Sequence, residues 1–236
     1  MPEPISATPP ADFPPSDPTR FVLVQPSHPG NVGAAARAMK VMGFTDLVLV
    51  QPRFEDVLSR EDTVAMASGA TDILAHARSV PTLPEALHGV TWACATAMTP
   101  RDFGPPTWQP REHFLDLAHS GHHVAFVFGP ERTGLSNEDV YCCHACLSIP
   151  THPDYGSLNL AQAVQLLAYD WRQALGGFAV TSRTADAALA DAASVAGLLQ
   201  HWEETLVQIG FLDPAAPRKL LPRLNQLLNR AQIKAD

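Results

Sequence analysis

Three short stretches of the sequence combine glycine with polar side chains in patterns that suit the binding of an anion or a nucleotide. The first, residues 28–40, has the sequence HPGNVGAAARAMK and places Asn31, Gly33 and Arg37 where a loop enters a helix. A helix N-terminus favours anions, and the guanidinium of Arg37 adds a fixed positive charge. The alternative is an ordinary helix that Asn31 caps, with a surface arginine. The glycines lack the G-x-G-x-x-G spacing of a dinucleotide-binding loop.

The second stretch, residues 129–139, has the sequence GPERTGLSNED and follows the apolar run VAFVF. Gly129 and Gly134 permit a close approach to the backbone or a positive φ. Glu131 and Arg132 fall in the loop between these glycines, and binding residues are often found in such loops. A plain turn with a surface ion pair would explain the same residues.

The third stretch, residues 146–165, ends an apolar strand and delivers Ser157 and Asn159 to the head of a helix. Ser157 suits the N-cap position, and it could be no more than a cap. Asn159 would then fall in the first turn, where aspartate and glutamate are preferred. Capping alone therefore does not account for Asn159.

The sequence CCHAC at 142–146 raises the possibility of a zinc site, because Cys143 and Cys146 have C-x-x-C spacing with His144 between them. A structural zinc site needs four ligands, usually from two such pairs. The sequence has no second pair, only scattered histidines. We therefore expect these cysteines to be small buried apolar side chains, and we expect no metal.

Composition and length favour a globular protein with one sizeable core and an appendage. The chain has 236 residues, of which 46% are hydrophobic, and no apolar run reaches the roughly 18 residues of a spanning helix. We expect no membrane segment. Residues 1–19 are rich in proline and lack the regions of a secretory signal, so we expect a disordered tail. The crowded cysteines do not resemble a disulfide framework, and the cytoplasm is the default compartment.

The formal net charge of −8 weakly opposes nucleic-acid binding, because phosphate contacts need lysine and arginine. The acidic excess lies before residue 179, since the segment 179–236 is balanced between acidic and basic residues. A dimer could still gather its few arginines into one groove. Charge alone therefore leaves nucleic-acid binding open.

The elements that must position these residues alternate between strands and helices. The apolar runs that predict strands are 21–26, 46–52, 91–96, 124–128 and 146–150. The apolar spacing that predicts helices occurs at 31–43, 111–119 and 158–175, while 61–88 is mainly helical and 98–110 is a proline-rich loop. Continuously apolar strands are typical of a parallel sheet covered on both faces, so the fold class is α/β.

These patterns divide the chain into four parts. They are a disordered tail at 1–19, an α/β domain at 20–178, a linker at 179–192 and a helical extension at 193–236.

Taken in order, the three stretches resemble the SPOUT superfamily of knotted RNA methyltransferases, and within it the ribose 2′-O-methyltransferases. The matching patterns are N-x-G-x-x-x-R from Asn31 to Arg37, F-G-x-E-x-x-G-L-S-N at 128–137 and I-P…S-L-N-L-A-x-A-V at 149–164. The segment QPSHPGNVGAAARAMK and the helical HWEETL are similar to bacterial tRNA methyltransferases that modify cytidine or uridine at nucleotide 32 of the anticodon loop. The resemblance covers about residues 20–232.

The resemblance implies a SPOUT-type parallel sheet flanked by helices, with a C-terminal trefoil knot and a short helical extension. It implies S-adenosyl-L-methionine as cofactor, tRNA as substrate, a homodimer with the active site at its interface, and no metal. The implied cofactor-binding residues are Thr96, Ala97, Gly129, Ile149, Ser157 and Leu158.

The resemblance also implies residues for catalysis and for RNA binding. The implied catalytic residues are Arg37, Asn31, Ser157 and Asn159, and those implied to position RNA are Arg37, Arg101, Glu131 and Arg132. Arginine stays protonated in proteins, so we expect Arg37 to clamp a phosphate and stabilise alkoxide character.

Two other functions remain open from the sequence. One is a ribosomal RNA 2′-O-methyltransferase of the same fold, and the other is an RNA-binding module of this fold without turnover.

Overall fold

The computed structural model describes residues 17–97, 100–180, 188–216 and 219–234. Residues 1–16 of the tail expected at 1–19, residues 181–187 of the linker expected at 179–192, and residues 98–99 of the loop at 98–110 lie outside this description. The chain separates into two compact units, Met1–Phe178 and Ala179–Asp236.

Within the described residues of the first unit, seven strands form one sheet in which every neighbouring pair is parallel. The strands are β1 (Asp17–Val24), β2 (Phe44–Val50), β3 (Arg78–Val80), β4 (Trp92–Thr96), β5 (Thr107–Trp108), β6 (Val124–Phe128) and β7 (Ala145–Leu147). Their order across the sheet is β3-β2-β1-β6-β4-β7-β5. The expected parallel α/β sheet is confirmed.

Helices connect the strands, as parallel strands require. They are α1 (Pro29–Val41), α2 (Glu61–Ala67), α3 (Thr71–His76), α4 (Leu83–Ala86), α5 (Pro110–Leu117), α6 (Asn137–Tyr141) and α7 (Leu160–Ala174), with a 3-10 turn at Val57–Ser59. Gly43 follows α1 with φ +76°, as expected for a residue that ends a helix.

Both faces of the sheet are buried, which explains why the central strands carry runs of apolar residues such as 21–24 of β1. On β1, Phe21 packs with one core and the adjacent Val22 packs with the other. The first core contains side chains from α1, α5 and α7, including Phe114 and Trp171, and the second contains side chains from α4 and α6. Helices therefore fix the sheet from both sides.

The carboxyl ends of three neighbouring strands meet at one edge of the sheet. Strand β6 ends next to Gly129, β4 ends at Thr96 and β7 ends at Leu147. The amide of Ala97 donates to the carbonyl of Leu147 at 3.1 Å, so the chain after β4 stays close to β7. Ligands of open α/β sheets bind outside such carboxyl ends.

Strand β1 begins at Asp17, earlier than the expected 21–26, so residues 17–19 of the expected tail belong to the sheet. Contacts from distant parts of the chain hold this start in place. Arg20 Nε donates to Asp46 Oδ2 at 2.7 Å, and Trp171 Nε1 donates to Thr19 Oγ1 at 2.8 Å.

Two edge strands depart from the expectations. Strand β3 interrupts the region 61–88 that was expected to be mainly helical, and β5 lies in the proline-rich loop at 98–110. These strands contain three and two residues, which is too short for an apolar pattern to develop. Strand β7 covers 145–147 rather than the expected 146–150.

The described residues of the second unit form two helices, α8 (Ala192–Gln208) and α9 (Leu220–Ala231), which agrees with the expected helical extension. Asp191 caps α8, since its carboxylate accepts from the amide of Ser194 at 2.7 Å. The two ends of this unit meet where the amide of Ala190 donates to the carbonyl of Ile233 at 2.9 Å. In the described part of the chain, no helix has both the length and the apolar character to cross a membrane.

Candidate active site

A cavity of about 400 Å³ opens at the edge of the sheet where β4, β6 and β7 end. All six residues that the resemblance assigns to the cofactor line it: Thr96, Ala97, Gly129, Ile149, Ser157 and Leu158. Apolar walls are added by Phe128, Leu135, Leu147 and Leu160. The second and third stretches that were singled out in the sequence thus enclose one space together with the chain around Thr96 and Arg101, whereas no residue of the first stretch lines it. The space has the size that small-molecule sites usually have.

The loop after β6 folds closely upon itself at Gly129. A Cβ atom at this position would lie 2.2 Å from the backbone nitrogen of Leu135 and 2.4 Å from the carbonyl carbon of Gly134. Gly134 has φ +68°, a conformation that favours glycine. The two glycines were expected to permit a close backbone approach, and the approach at Gly129 is made by the loop's own backbone.

The carboxylate of Glu131 holds the loop between β1 and α1. Its Oε2 accepts from the amide of Ser27 at 2.9 Å and from the Ser27 hydroxyl at 2.7 Å. Its Oε1 accepts from the amide of His28 at 3.2 Å and from Asn31 Nδ2 at 2.8 Å. Both oxygens are therefore directed into the protein, which argues against the expected contact between Glu131 and RNA.

These hydrogen bonds stabilise the ionised form of Glu131. Burial on its own would raise the pKa of the carboxyl, but the donors from Asn31 and Ser27 outweigh burial and hold the pKa at about 2. Glu131 is therefore a fixed negative charge at neutral pH. Its partners are donors that have no other acceptor among the described residues.

Asn31 and Asn159 link the first motif to the third. Asn159 Nδ2 donates to Asn31 Oδ1 at 2.9 Å, while Asn159 Oδ1 accepts from the amide of Ala161 at 2.9 Å. Asn159 is thus the N-cap of α7, and the assignment of that position to Ser157 is wrong. The hydroxyl of Ser157 is exposed at the cavity instead.

Asn31 does not cap α1 as expected. The helix begins two residues earlier, at Pro29, whose missing amide hydrogen suits the first position of a helix. The side chain of Asn31 is left to bridge Glu131 and Asn159. We call the four residues Ser27, Asn31, Glu131 and Asn159 the Glu131 network.

Gly33 serves helix packing. A Cβ atom here would lie 2.0 Å from the carbonyl oxygen of Thr63 in α2, so α1 and α2 could not approach as they do. One turn further along α1, the side chain of Arg37 is exposed, and it does not line the cavity. Its guanidinium forms no hydrogen bond or salt bridge with any residue that the structure describes.

Arg101 and Arg132 line the cavity in different ways. Arg132 is exposed, whereas Arg101 is half-buried. Arg101 Nη2 is 3.5 Å from the carbonyl oxygen of Leu135, and Arg101 Nε is buried without a partner among the described residues.

Comparison with known proteins shows which family this chain is similar to. Residues 18–169 match the model of the SpoU rRNA Methylase family. This chain belongs to that family. Residues 193–236 match a second model, the C-terminal domain of the tRNA methyltransferase TrmJ.

Individual relatives agree with this assignment. The tRNA (cytidine/uridine/adenosine-2′-O-)-methyltransferase TrmJ of Pseudomonas aeruginosa is 44% identical over 230 residues, which is 92% of this chain and 88% of the relative. The crystal structure of TrmJ from Z. mobilis is similar with a TM-score of 0.76 at 31% identity, over 91% of this chain and 92% of that one. A probable methyltransferase from Bordetella pertussis is 48% identical with a TM-score of 0.62, over 67% of this chain and 96% of that one.

The cysteine segment at 142–146 of this SpoU-family chain leads from the end of α6 into strand β7. Cys143 and Cys146 are buried, and burial raises the pKa of the Cys143 thiol to about 12. His144 Nδ1 accepts from the amide of Ala93 at 3.0 Å. Among the described residues, no group of three or more histidine, cysteine or acidic side chains is arranged to hold a metal ion.

Ser27 is the residue of the Glu131 network that sequence reasoning missed. It lies between the end of β1 and the start of α1, in the segment QPSHPGN, and gives Glu131 both a backbone and a side-chain donor. Its position in a loop at a strand's carboxyl end was the available signal.

Proposed function

We propose that this protein transfers a methyl group from S-adenosyl-L-methionine to a ribose 2′-hydroxyl of tRNA, at a cytidine or uridine at nucleotide 32 of the anticodon loop. The observation that carries this proposal is the cavity that the second and third motifs line, with the helix that bears Arg37 joined to both motifs through the bonds of Asn31 to Glu131 and Asn159. The relatives named TrmJ and the match of the C-terminal segment support tRNA as the substrate.

The residues present fit the proposed cofactor. A cavity of about 400 Å³ with apolar walls accepts an adenosine group, and strand ends supply backbone atoms for its polar edges. Thr96 Oγ1 donates to the carbonyl of Val127 at 3.0 Å, so the hydrogen of this hydroxyl is already used within the protein. When bound, the cofactor would supply a methyl carbon on a sulfonium, from which a neutral thioether departs with the electron pair of the broken carbon–sulfur bond.

The residues of the chain have two tasks in this reaction. They must align the ribose oxygen with the methyl carbon, and they must stabilise the negative charge that develops on that oxygen as its proton passes to solvent. The guanidinium of Arg37 suits the second task and can bind the adjacent phosphate. Asn31, Ser157 and Asn159 are proposed to orient the ribose or Arg37.

The position of Arg37 outside the cavity lining favours a homodimer. Since its guanidinium is exposed and unpaired among the described residues, it is available to a site that a second copy of the chain completes. Arg101 and Arg132 are the further residues proposed for anionic groups at the cavity. The proposed setting is the cytoplasm, and no membrane or metal takes part.

The competing substrate is ribosomal RNA, because the matching family model is described as an rRNA methylase family. The TrmJ C-terminal match at 193–236 favours tRNA instead. A module without turnover is disfavoured, because Arg37, Ser157 and Asn159 are all present in the motif positions.

The test is transfer of isotope-labelled methyl groups to unmodified tRNA and to ribosomal RNA, followed by mass-spectrometric mapping of 2′-O-methyl nucleotides. We expect label at nucleotide 32 of tRNA. Arg37→Ala should reduce turnover by at least about 100-fold with cofactor affinity nearly unchanged, because an interaction made mainly in the transition state is removed. Label in ribosomal RNA alone, or normal turnover by Arg37→Ala, would refute the corresponding part of the proposal.

A further inference from the structure

Arg101 is a cation whose side chain is turned into the wall of the cavity. It lines the cavity, it is half-buried, and its Nε is buried without a hydrogen-bond partner in the described part of the chain. Buried polar groups in native proteins are rarely left unpaired, because desolvation then goes uncompensated. An unpaired guanidinium nitrogen in a binding cavity therefore points to an anionic ligand.

The loop around Arg101 holds the side chain in place. The amide of Gly104 donates to the carbonyl of Arg101 at 3.0 Å, which closes a tight turn. The hydroxyl of Tyr141 donates to the carbonyl of Asp102 at 2.7 Å and ties this turn to α6. Arg101 Nη2 also approaches the carbonyl of Leu135 in the loop after β6. The guanidinium is thus positioned before any ligand arrives, which favours binding.

The other charged side chains that line the described part of the cavity differ from Arg101. Glu131 accepts hydrogen bonds from Ser27, His28 and Asn31 on both oxygens. Arg132 is exposed, as a residue that meets a phosphate on the surface of an RNA would be. Arg101 is therefore the inward-facing cation of this cavity, within the residues that the structure describes.

We propose that Arg101 binds the α-carboxylate of the cofactor's methionine moiety. This inference rests on the proposed use of S-adenosyl-L-methionine. The adenosine end of that molecule needs only the apolar walls and backbone atoms of the strand ends, whereas its amino-acid end carries a carboxylate that needs a cation. A planar guanidinium can bind a carboxylate through two parallel hydrogen bonds, one of them from Nε.

A carboxylate fits this position better than an RNA phosphate does. The phosphates of an RNA chain stay at the protein surface, because each is joined to its neighbours and keeps its solvent contact. Arg101 lines the cavity and its Nε is covered by protein atoms, so its guanidinium belongs to the enclosed part of the cavity and not to the open surface. Arg101 would then fix the cofactor's tail, and Arg132 would remain for the RNA.

The experiment is calorimetric titration of the wild-type protein and Arg101→Gln with S-adenosyl-L-methionine and with its decarboxylated form, which lacks only the carboxylate. We expect Arg101→Gln to weaken binding of the intact cofactor by about 10- to 100-fold, the effect of a lost charge-assisted hydrogen bond. Binding of the decarboxylated form should change by less than about threefold, and Arg101→Lys should recover part of the loss.

Arg111→Gln is the matched control, because it removes the same charge from an exposed side chain that pairs with Asp170 outside the cavity. It should leave both affinities unchanged. Equal losses for both ligands in Arg101→Gln would mean that Arg101 only shapes the cavity, and would overturn the assignment. Unchanged cofactor binding with weaker tRNA binding would also overturn it, in favour of a phosphate. If the wild-type protein bound neither ligand, the proposed function itself would fail.

Discussion

Replacing Glu131 with glutamine tests whether the Glu131 network holds the first motif to the cavity. The substitution keeps the size of the side chain but removes its charge and turns one acceptor oxygen into a donor. All four groups that face the carboxylate are donors, from the amides of Ser27 and His28, the Ser27 hydroxyl and the Asn31 amide. Whichever way the new amide turns, donors on one side of it lose their acceptor.

The pKa of Glu131 sets the size of the expected loss. The native environment lowers this pKa from 4.5 to about 2. At about 1.4 kcal/mol for each pKa unit, the ionised form is favoured by at most about 3.5 kcal/mol. Because Glu131 is only half-buried, solvent screening reduces this figure, and we expect Glu131→Gln to lower the free energy of unfolding by about 1–2 kcal/mol at pH 7.

The pH dependence distinguishes this mechanism from a loss of packing. The folded pKa lies below the unfolded one, so the contribution of Glu131 is complete above the unfolded value of 4.5 and is lost as pH falls toward about 2. The difference between wild-type protein and Glu131→Gln should therefore be constant from pH 7 to pH 5.5 and shrink below pH 4.5. Urea unfolding at a series of pH values measures it.

Glu55→Gln is the matched control, because Glu55 is exposed and forms no hydrogen bond with a described residue. It should change the free energy of unfolding by less than about 0.5 kcal/mol at every pH. A Glu131→Gln protein as stable as the wild type at pH 7, or a difference that stays constant down to pH 3, would show that the network does not stabilise the fold through the charge of Glu131.

Two further substitutions test the loops on either side of the network. Gly129→Ala should cost about 2 kcal/mol or more of stability and weaken cofactor binding in calorimetry, because its Cβ would meet the backbone of Leu135 at 2.2 Å. Gly69→Ala is the control, because a Cβ atom at that position meets nothing within 4 Å. Asn159→Ala should cost about 1–2 kcal/mol through the lost cap of α7, with turnover reduced more than cofactor affinity. Asn137→Ala is the control, because this position is exposed and its side chain forms no bond with a described residue. It should change neither the stability nor the turnover.

The sheet was predictable from the sequence where its strands are long and buried. Strands β1, β2, β4 and β6 each contain a run of buried apolar residues, and such a run depends only on local sequence and burial. Strands β3 and β5 were not predictable, because they form through pairing at the sheet edges and are too short to carry a pattern. The trefoil knot that the resemblance implies stays a prediction.

The six residues that the resemblance assigns to the cofactor line the cavity, but the contacts around it were not predictable. Ser157 and Asn159 are both good capping residues two positions apart, so local sequence could not decide between them, and the bond from Asn159 to Asn31 joins residues 128 positions apart. Glu131 looked like a surface acid because its four donors come from a loop about 100 positions away. The resemblance singled out Asn31, Glu131 and Asn159, and the hydrogen bonds of Asn31 to the other two show how they are connected.

Both ends of α1 are bonded to other elements of the fold. These bonds hold Arg37 in position, although its guanidinium has no partner among the described residues. At the N-terminal end, Asn31 is bonded to Glu131 and Asn159. At the C-terminal end, Arg172 Nε donates to the carbonyl of Met42 at 2.7 Å, and the Arg172 guanidinium lies 4.5 Å from the centre of the Phe44 ring.

We call these two sets of contacts the clamps of α1. The N-terminal clamp comes from the loop after β6 and the N-cap residue of α7, and the C-terminal clamp comes from the last turn of α7. Helix α1 is therefore fixed in position and in rotation about its axis, and Arg37 lies between the two clamps. In the proposed reaction, a guanidinium that is held through its backbone and has no partner among the described residues can bind a phosphate or a developing alkoxide at little cost in reorganisation. On this argument, loosening either clamp should lower turnover even though neither Glu131 nor Arg172 is assigned a contact with the reacting atoms.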